Sequence, residues 1–438
     1  VLEAKAAVTT PETRPPGWLY GLTLALIFIS PSQYSLALDP KSGPFIAYAD
    51  ILLALCVLLW AGWVVAGRRW RQLTWPPLAV WAFLLMAVLG SLGAESLKLA
   101  GLEVIQIALY FFGAYMLFVT VLNDPARLRG AITALVAAVG VVVLIGLGQY
   151  VGGSEPESVK ATFQSRNVYS ACLAMTLPLL AGIVLLGTAR WWRLGAGVLL
   201  VAGLLTMMSP PLPWVLALVV LVMAFSWGRG QTRWVAGLVT VAALGLMVSF
   251  APLNRQVGRE LLNPYEEGPV FKTMGEEASA DSAEPVVKKR WLEWQPALNM
   301  MAENYMLGVG TGNFQLNIGR PEYYGFLPNV KKSEPDTNNL YLVVGSSMGF
   351  AGLVALVAMM GHYLRRAGRL WLGVQEPWQR ALACGLYGAA LAIPLVNVFT
   401  SLFVRGTAII WALVYAMIWV LSAQLLPAPA PVREDEEA

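Results

Sequence analysis

Leu340-Tyr-Leu-Val-Val-Gly-Ser-Ser-Met-Gly-Phe-Ala-Gly-Leu-Val-Ala-Leu-Val-Ala-Met-Met360 carries no charged residue. A run of this length and apolarity reads as a membrane-spanning helix, because about 20 apolar residues at a rise of about 1.5 Å each cross the hydrocarbon of a bilayer. The residues before it read the opposite way. From Pro252 to Asn338 the chain stays polar for more than eighty residues and carries Arg255, Arg259, Glu260, Glu266, Glu267, Lys288, Lys289 and Arg290. Backbone of that kind is not satisfied in lipid, so the stretch lies outside the hydrocarbon.

Working outward from this junction, comparable apolar runs cover about 17–30, 44–66, 76–93, 99–122, 131–151, 168–188, 194–208, 212–227 and 234–251 before the polar stretch. After it come about 339–363, 381–402 and 406–425. The expectation is an all-α integral membrane protein of about 12 transmembrane helices with one large hydrophilic loop. The chain divides into a tail (1–16), nine helices (17–251), the loop (252–338), three helices (339–425) and an acidic tail (426–438). Charged residues make up 13% of the 438, about half the share of a soluble domain, and 57% are hydrophobic. The lipid bilayer is therefore the first partner. No basic cluster lies on a soluble domain, which argues against nucleic acid. Cys56, Cys172 and Cys384 all fall inside apolar runs and read as small packing residues. His362 is the single histidine. A histidine-based metal site is excluded on that count, and no cofactor is expected.

Arginines set the orientation. Arg68, Arg69 and Arg71 follow the second run, Arg127 and Arg129 the fourth, and Arg190 and Arg193 the sixth. Arg229 and Arg233 follow the eighth, and Arg365, Arg366 and Arg369 the tenth. Basic breaks face the cytoplasm. Both termini are then cytoplasmic, and the large loop and the 152–167 segment face outward. Trp70, Trp191, Trp192, Trp227 and Trp234 fall at the expected interfaces, as in an aromatic belt.

With no histidine near the outer face, chemistry there would rest on carboxylates and guanidiniums. Lys288, Lys289 and Arg290 open an amphipathic run in which Trp291, Trp294, Leu298 and Met301 recur at helical spacing. The run reads either as a helix on the bilayer whose cations meet a phosphate, or as an interfacial anchor with snorkelling cations. The turn Gly308-Val-Gly-Thr-Gly312 either brings backbone N–H groups to a phosphate or is a plain tight turn. Asp50 and Glu103 lie inside apolar runs, where a carboxylate marks either a functional site or a structural partner. Arg166 is a cation at the outer surface, open to binding or to snorkelling.

Five stretches together resemble a known family. They are Phe163-Gln-Ser-Arg-Asn167, Ala171-Cys-Leu-Ala-Met-Thr-Leu-Pro-Leu179, the segment from Arg290 to Phe314, Asp336-Thr-Asn-Asn-Leu-Tyr-Leu342 and Met348-Gly-Phe-Ala-Gly-Leu353. In order and placement the chain resembles the O-antigen ligase and O-antigen polymerase superfamily of bacterial inner membranes. The resemblance implies a metal-independent, C-type glycosyltransferase-like fold with a large periplasmic loop. It implies transfer of a glycan from a polyprenyl-diphosphate carrier to an acceptor on the periplasmic face. Two arginines would meet the diphosphate, as guanidinium forks suit phosphate. A histidine would act as base.

Carried over residue by residue, the resemblance places one of those arginines at Arg290. The other falls at Pro210, the histidine at Asn338, and a usual glutamate at Ser347. An amide takes no proton at physiological pH, and proline offers neither charge nor N–H. The expectation is a binding or structural subunit on a glycosyltransferase frame, without a confident catalytic residue. Arg290, Arg166 and Lys289 remain to hold a polyprenyl-diphosphate glycan or a phospholipid headgroup, and other membrane subunits are the expected partners. The alternative is an active transferase in which Arg166 replaces the missing arginine and Asp336 or Glu334 serves as base.

Overall fold

The computed structural model describes residues 14–34, 47–153, 158–209, 211–227, 286–318, 320–324, 337–403 and 405–425. Its elements are α1 (Gly17–Ile29), α2 (Tyr48–Ala66), α3 (Leu78–Gly90), α4 (Leu97–Val121), α5 (Pro125–Val151), α6 (Arg166–Leu186) and α7 (Arg190–Thr206). They continue with α8 (Pro211–Trp227), α9 (Val286–Glu303), the short α10 (Phe314–Ile318), α11 (Leu340–Gly373), α12 (Pro377–Val396) and α13 (Arg405–Leu425). Among the described residues, seven helices are long and apolar enough to cross a membrane: α2, α4, α5, α6, α11, α12 and most of α13. α1, α3 and α8 are shorter apolar helices. The fold is that of an all-α membrane protein.

Eleven of the twelve apolar runs are described, and each forms a helix. The run at 234–251 lies outside the described residues. Several boundaries move. The break expected at 123–129 is mostly helix, because Asp124 caps α5 by accepting from the Ala126 N–H at 2.8 Å and Pro125 takes the first turn. Arg190 and Arg193 open α7, and Arg365, Arg366 and Arg369 lie within α11. In each case an arginine was read as a chain break, but helices run on past the hydrocarbon into the polar interface. At the other extreme, α12 stops at Val396, short of 402.

α6 and α13 form the centre, with most of their residues buried on every side. The surrounding helices turn leucine, valine and tryptophan outward, as lipid-facing helices do: Leu58, Leu85, Leu144 and Val198 are all more than half exposed. α6 packs closest on α12. A Cβ on Gly385 would stand 2.8 Å from the Leu179 Cα, and one on Gly182 would overlap the backbone of Ala381 and Gly385. Small residues let these backbones touch, the usual basis of helix association in lipid. Cys56, Cys172 and Cys384 are buried and free.

Two ends of the bundle are distinguished by their contacts. At one, Arg14 pairs with Asp124, and Arg127 donates to the Pro15 carbonyl at 2.6 Å. Here too Arg129 lies over Trp378, Arg366 lies over Trp419, and Gln424 donates to the Asn123 carbonyl. This is the arginine end. At the other, the loop end, Thr162 donates to the Pro31 carbonyl at 2.9 Å, and the Leu340 N–H donates to the Asn397 carbonyl at 2.9 Å.

A candidate site under the cap at the loop end

The residues from α9 to α10 form a cap over the loop ends of α3, α4 and α11. α9 covers the amphipathic run expected from Lys288 onward, and its described inner face meets protein. Ala297 and Met300 are fully buried, the Ser346 hydroxyl donates to the Ala297 carbonyl at 2.8 Å, and Met301 lies against Gly345. After Trp294, then, one face of the helix is turned to the bundle rather than away from it.

The glycine turn resolves in favour of a plain structural turn. Gly308, Gly310 and Gly312 have φ of 71°, 107° and 70°, which side chains with a Cβ rarely adopt. The N–H groups of this turn point into the protein. Val309 donates to the Ser346 carbonyl at 2.8 Å, Gly310 to that of Ser347 at 3.2 Å, and Thr311 to that of Gly90 at 3.3 Å. None of these three is left for a phosphate. The Thr311 hydroxyl reaches the Ala87 carbonyl at 2.7 Å. Asn313 then clasps the start of α4, accepting from the Ser96 N–H at 2.8 Å and donating to its carbonyl at 3.2 Å. Nearby, Arg320 pairs with Glu95 and lies 3.7 Å from Glu322.

What receives the turn is a break inside α11. Gly349 has φ 70° and ψ −177°, an extended conformation interrupting the helix. A break frees backbone groups that the helix would otherwise satisfy. The cap supplies their partners: the Ser346 and Ser347 carbonyls accept from the turn, and the Phe350 N–H donates to the Tyr305 carbonyl at 2.8 Å. Non-helical backbone at this depth is tolerated only when protein satisfies it in this way. Neither the break nor its filling was legible from the apolar run alone.

Ser347, the position where the family resemblance implies glutamate, is thus buried under the turn. Asn338, at the histidine position, has φ 46°. Asparagine and histidine are both enriched in that left-handed region, so the backbone suits either. Asn339 caps α11, accepting from the Leu342 N–H at 3.2 Å. The Trp294 indole N–H donates to the Thr337 carbonyl at 3.1 Å, which brings α9 beside Asn338. Arg290 and Lys289 lie on that helix, with Arg290 one turn before Trp294. Asp336, Glu334 and Pro210 lie outside the described residues, although Asp336 directly precedes Thr337 in the chain.

Arg166 stands at the first position of α6, behind the cap residue Ser165, which accepts from the Val168 N–H at 3.3 Å. One turn on, the Ser170 hydroxyl accepts from the Ser209 N–H at 3.2 Å. This contact ties the α6 start to the junction that holds Pro210. Both Arg166 and Asn338 are engaged by neighbours. The site residues therefore fall in two groups: α9 with Asn338 and Ser347, and Arg166 with the Ser209 junction.

The two intramembrane carboxylates differ. Asp50 has close partners: it accepts from the Tyr110 hydroxyl at 2.7 Å and from the Ala47 N–H at 3.3 Å at the start of α2. Tyr110 lies in a π-helical stretch, Leu109–Ala114, of the kind that re-aims one side chain in a helix. Glu103 shares the inward stripe of α4 with the buried Ala100 and Ile107, beneath Gly312. His362 lies in the half of α11 toward the arginine end, far along the helix from Asn338, with its ring edge-on to Tyr363.

Fold and site together define a polytopic α-helical membrane protein whose cap completes a broken helix. Residues 212–357 match the family model described as O-antigen ligase, a span that takes in α8, the cap and the break in α11. That match supports the assignment of the chain to the O-antigen ligase superfamily. No curated protein matches the chain.

Proposed function

We propose that this protein is an O-antigen ligase-like component of a bacterial inner membrane that uses the family frame for binding or assembly, not for glycosyl transfer. The observation that carries this reading is the environment of Ser347. Where the resemblance implies a glutamate, a serine lies buried, and its carbonyl is taken up by the Gly310 N–H. By the same resemblance, Asn338 takes the place of the family histidine and Pro210 that of an arginine. Neither Ser347 nor Asn338 can accept a proton near neutral pH. The arginine end is cytoplasmic by the positive-inside rule, which makes the cap periplasmic and both termini cytoplasmic. On this reading the segments divide at 16, 251, 338 and 425.

The test is purification of the native protein in mild detergent, with mass spectrometry of its proteins and lipids. Other membrane subunits in fixed ratio, together with ordinary phospholipid, are the expected result. A bound polyprenyl-diphosphate glycan on an isolated monomer overturns the reading.

One observation favours a second reading, an active transferase. The Trp294 to Thr337 bond sets the helix of Arg290 and Lys289 beside the segment that Asp336 leads into. Arg290 and Arg166 would then meet the carrier's diphosphate, and Asp336 or Glu334 would take the acceptor's proton. In a cell that depends on this gene, Arg290→Ala and Asp336→Asn should each abolish glycan transfer. Unchanged transfer in both removes this reading.

A further inference from the structure

Guanidinium groups also meet apolar surface along α7, far from the cap. A groove of about 710 Å³ runs along α7 between α5 and α6. Its walls are apolar from Leu194 through Val201 to Leu205, with Leu147 of α5 and Val184 of α6 opposite. Gly197 forms part of its floor: a Cβ there would meet only the Val184 side chain, at 3.9 Å. From Arg190 to Leu205 the groove follows fifteen helical steps, about 22 Å. One leaflet of hydrocarbon is about 15 Å deep, so an acyl chain fits along it.

Polarity is confined to one end. Arg190 and Arg193 line the mouth at the arginine end of the bundle. Arg193 is fixed by a bond from Nε to the Val184 carbonyl, 2.9 Å, which leaves its two terminal nitrogens for another acceptor. Arg190 is exposed at the same mouth. Trp191 and Trp192, between them in sequence, are 82% and 58% exposed, as belt residues at headgroup level are. Apolar walls with two cations at one end are complementary to an amphiphile with an anionic head and hydrocarbon tails.

We propose that this groove is a binding site for an anionic phospholipid, its phosphate held by Arg190 and Arg193 and an acyl chain laid over Gly197 toward Leu205. Guanidinium is the cation best matched to phosphate. A bilayer offers such lipids directly to a mouth at headgroup level, and the cytoplasmic leaflet is rich in them. The site does not depend on whether the cap covers an active centre.

Native mass spectrometry of the full-length, delipidated protein tests this, titrating phosphatidylglycerol against phosphatidylcholine of the same acyl chains. Phosphatidylglycerol should bind the unmodified chain more tightly. Arg190→Gln should weaken it about fivefold, the share of one basic residue at an anionic surface, and leave phosphatidylcholine unchanged. Gly197→Leu fills the floor of the groove and should remove binding of both lipids. Both substitutions lie on exposed or open surface, and a melting curve for each confirms that the fold is kept. Equal affinity for the two lipids overturns the proposal. So does phosphatidylglycerol binding that survives both substitutions in folded protein.

Discussion

The Phe350 N–H donates to the Tyr305 carbonyl oxygen at 2.8 Å, joining the first residue after the α11 break to the turn that follows α9. With the bonds from Val309 and Gly310, it replaces helical hydrogen bonds with bonds to the cap. The break and the cap are one structure, and neither is complete alone.

Gly349→Ala should therefore be among the most damaging single changes in the chain. A φ of 70° with ψ near 180° is a glycine conformation, and a Cβ there would overlap the Met306 carbonyl. The expected cost is about 3 kcal/mol. Gly361→Ala in the same helix has open space around it and should be neutral or stabilise by about 0.5–1 kcal/mol. Melting of both variants in the same detergent makes the comparison.

Asn313→Ala should loosen the cap without disturbing the bundle. It removes the bonds to Ser96 and one to the Thr311 carbonyl at 2.9 Å, each worth about 1 kcal/mol. Limited proteolysis should cut within 286–324 sooner in the variant. Unchanged cleavage would mean that Asn313 does not hold the cap.

The substituted family positions can be examined by reversal. Asn338→His should leave the stability read from melting within about 0.5 kcal/mol of the parent, since the left-handed backbone accepts histidine. Ser347→Glu should destabilise by about 2–4 kcal/mol, because it puts a carboxyl where the turn is packed on the helix. If Ser347→Glu melts like the parent, the site under the cap is roomier than its packing indicates.

Much of the architecture could be read directly from apolar length. The eleven described runs all became helices, because in lipid a spanning segment has few other ways to satisfy its backbone. The misplaced boundaries share one cause. Arg127, Arg190 and Arg365 look like the edge of a span, yet a helix keeps its hydrogen bonds as it leaves the hydrocarbon. The site was less legible. Gly349 lies among Gly345, Met348 and Gly352 in a run rich in small residues, and glycine is common in spanning helices. Nothing in that run says which glycine leaves the helix, because the partner groups lie on Tyr305 and Val309, before the polar segment ends. The turn at Gly308–Gly312 was visible as a turn, but its target was not.

The packing of α6 on α12 supports a further prediction. Gly385→Leu would drive a side chain into the Leu179 backbone and should cost about 3 kcal/mol or prevent assembly. Gly62→Ala on α2 faces open space and should fold normally. Expression and size-exclusion profiles of the pair are enough to decide it.

The interlocking of cap and break also has a consequence for biosynthesis. The turn at 308–312 is made after α3 and before α11, so when it leaves the ribosome only its Asn304, Gly90 and Ala87 acceptors exist. Its other two acceptors, Ser346 and Ser347, arrive with the next spanning segment. The stretch that bears it must therefore wait, half-docked, for a helix that can form only as a broken one. Late synthesis of α11, not early formation of α3, closes the molecule, and a nascent chain paused between them would hold its glycine turn only half-bonded, open to other partners.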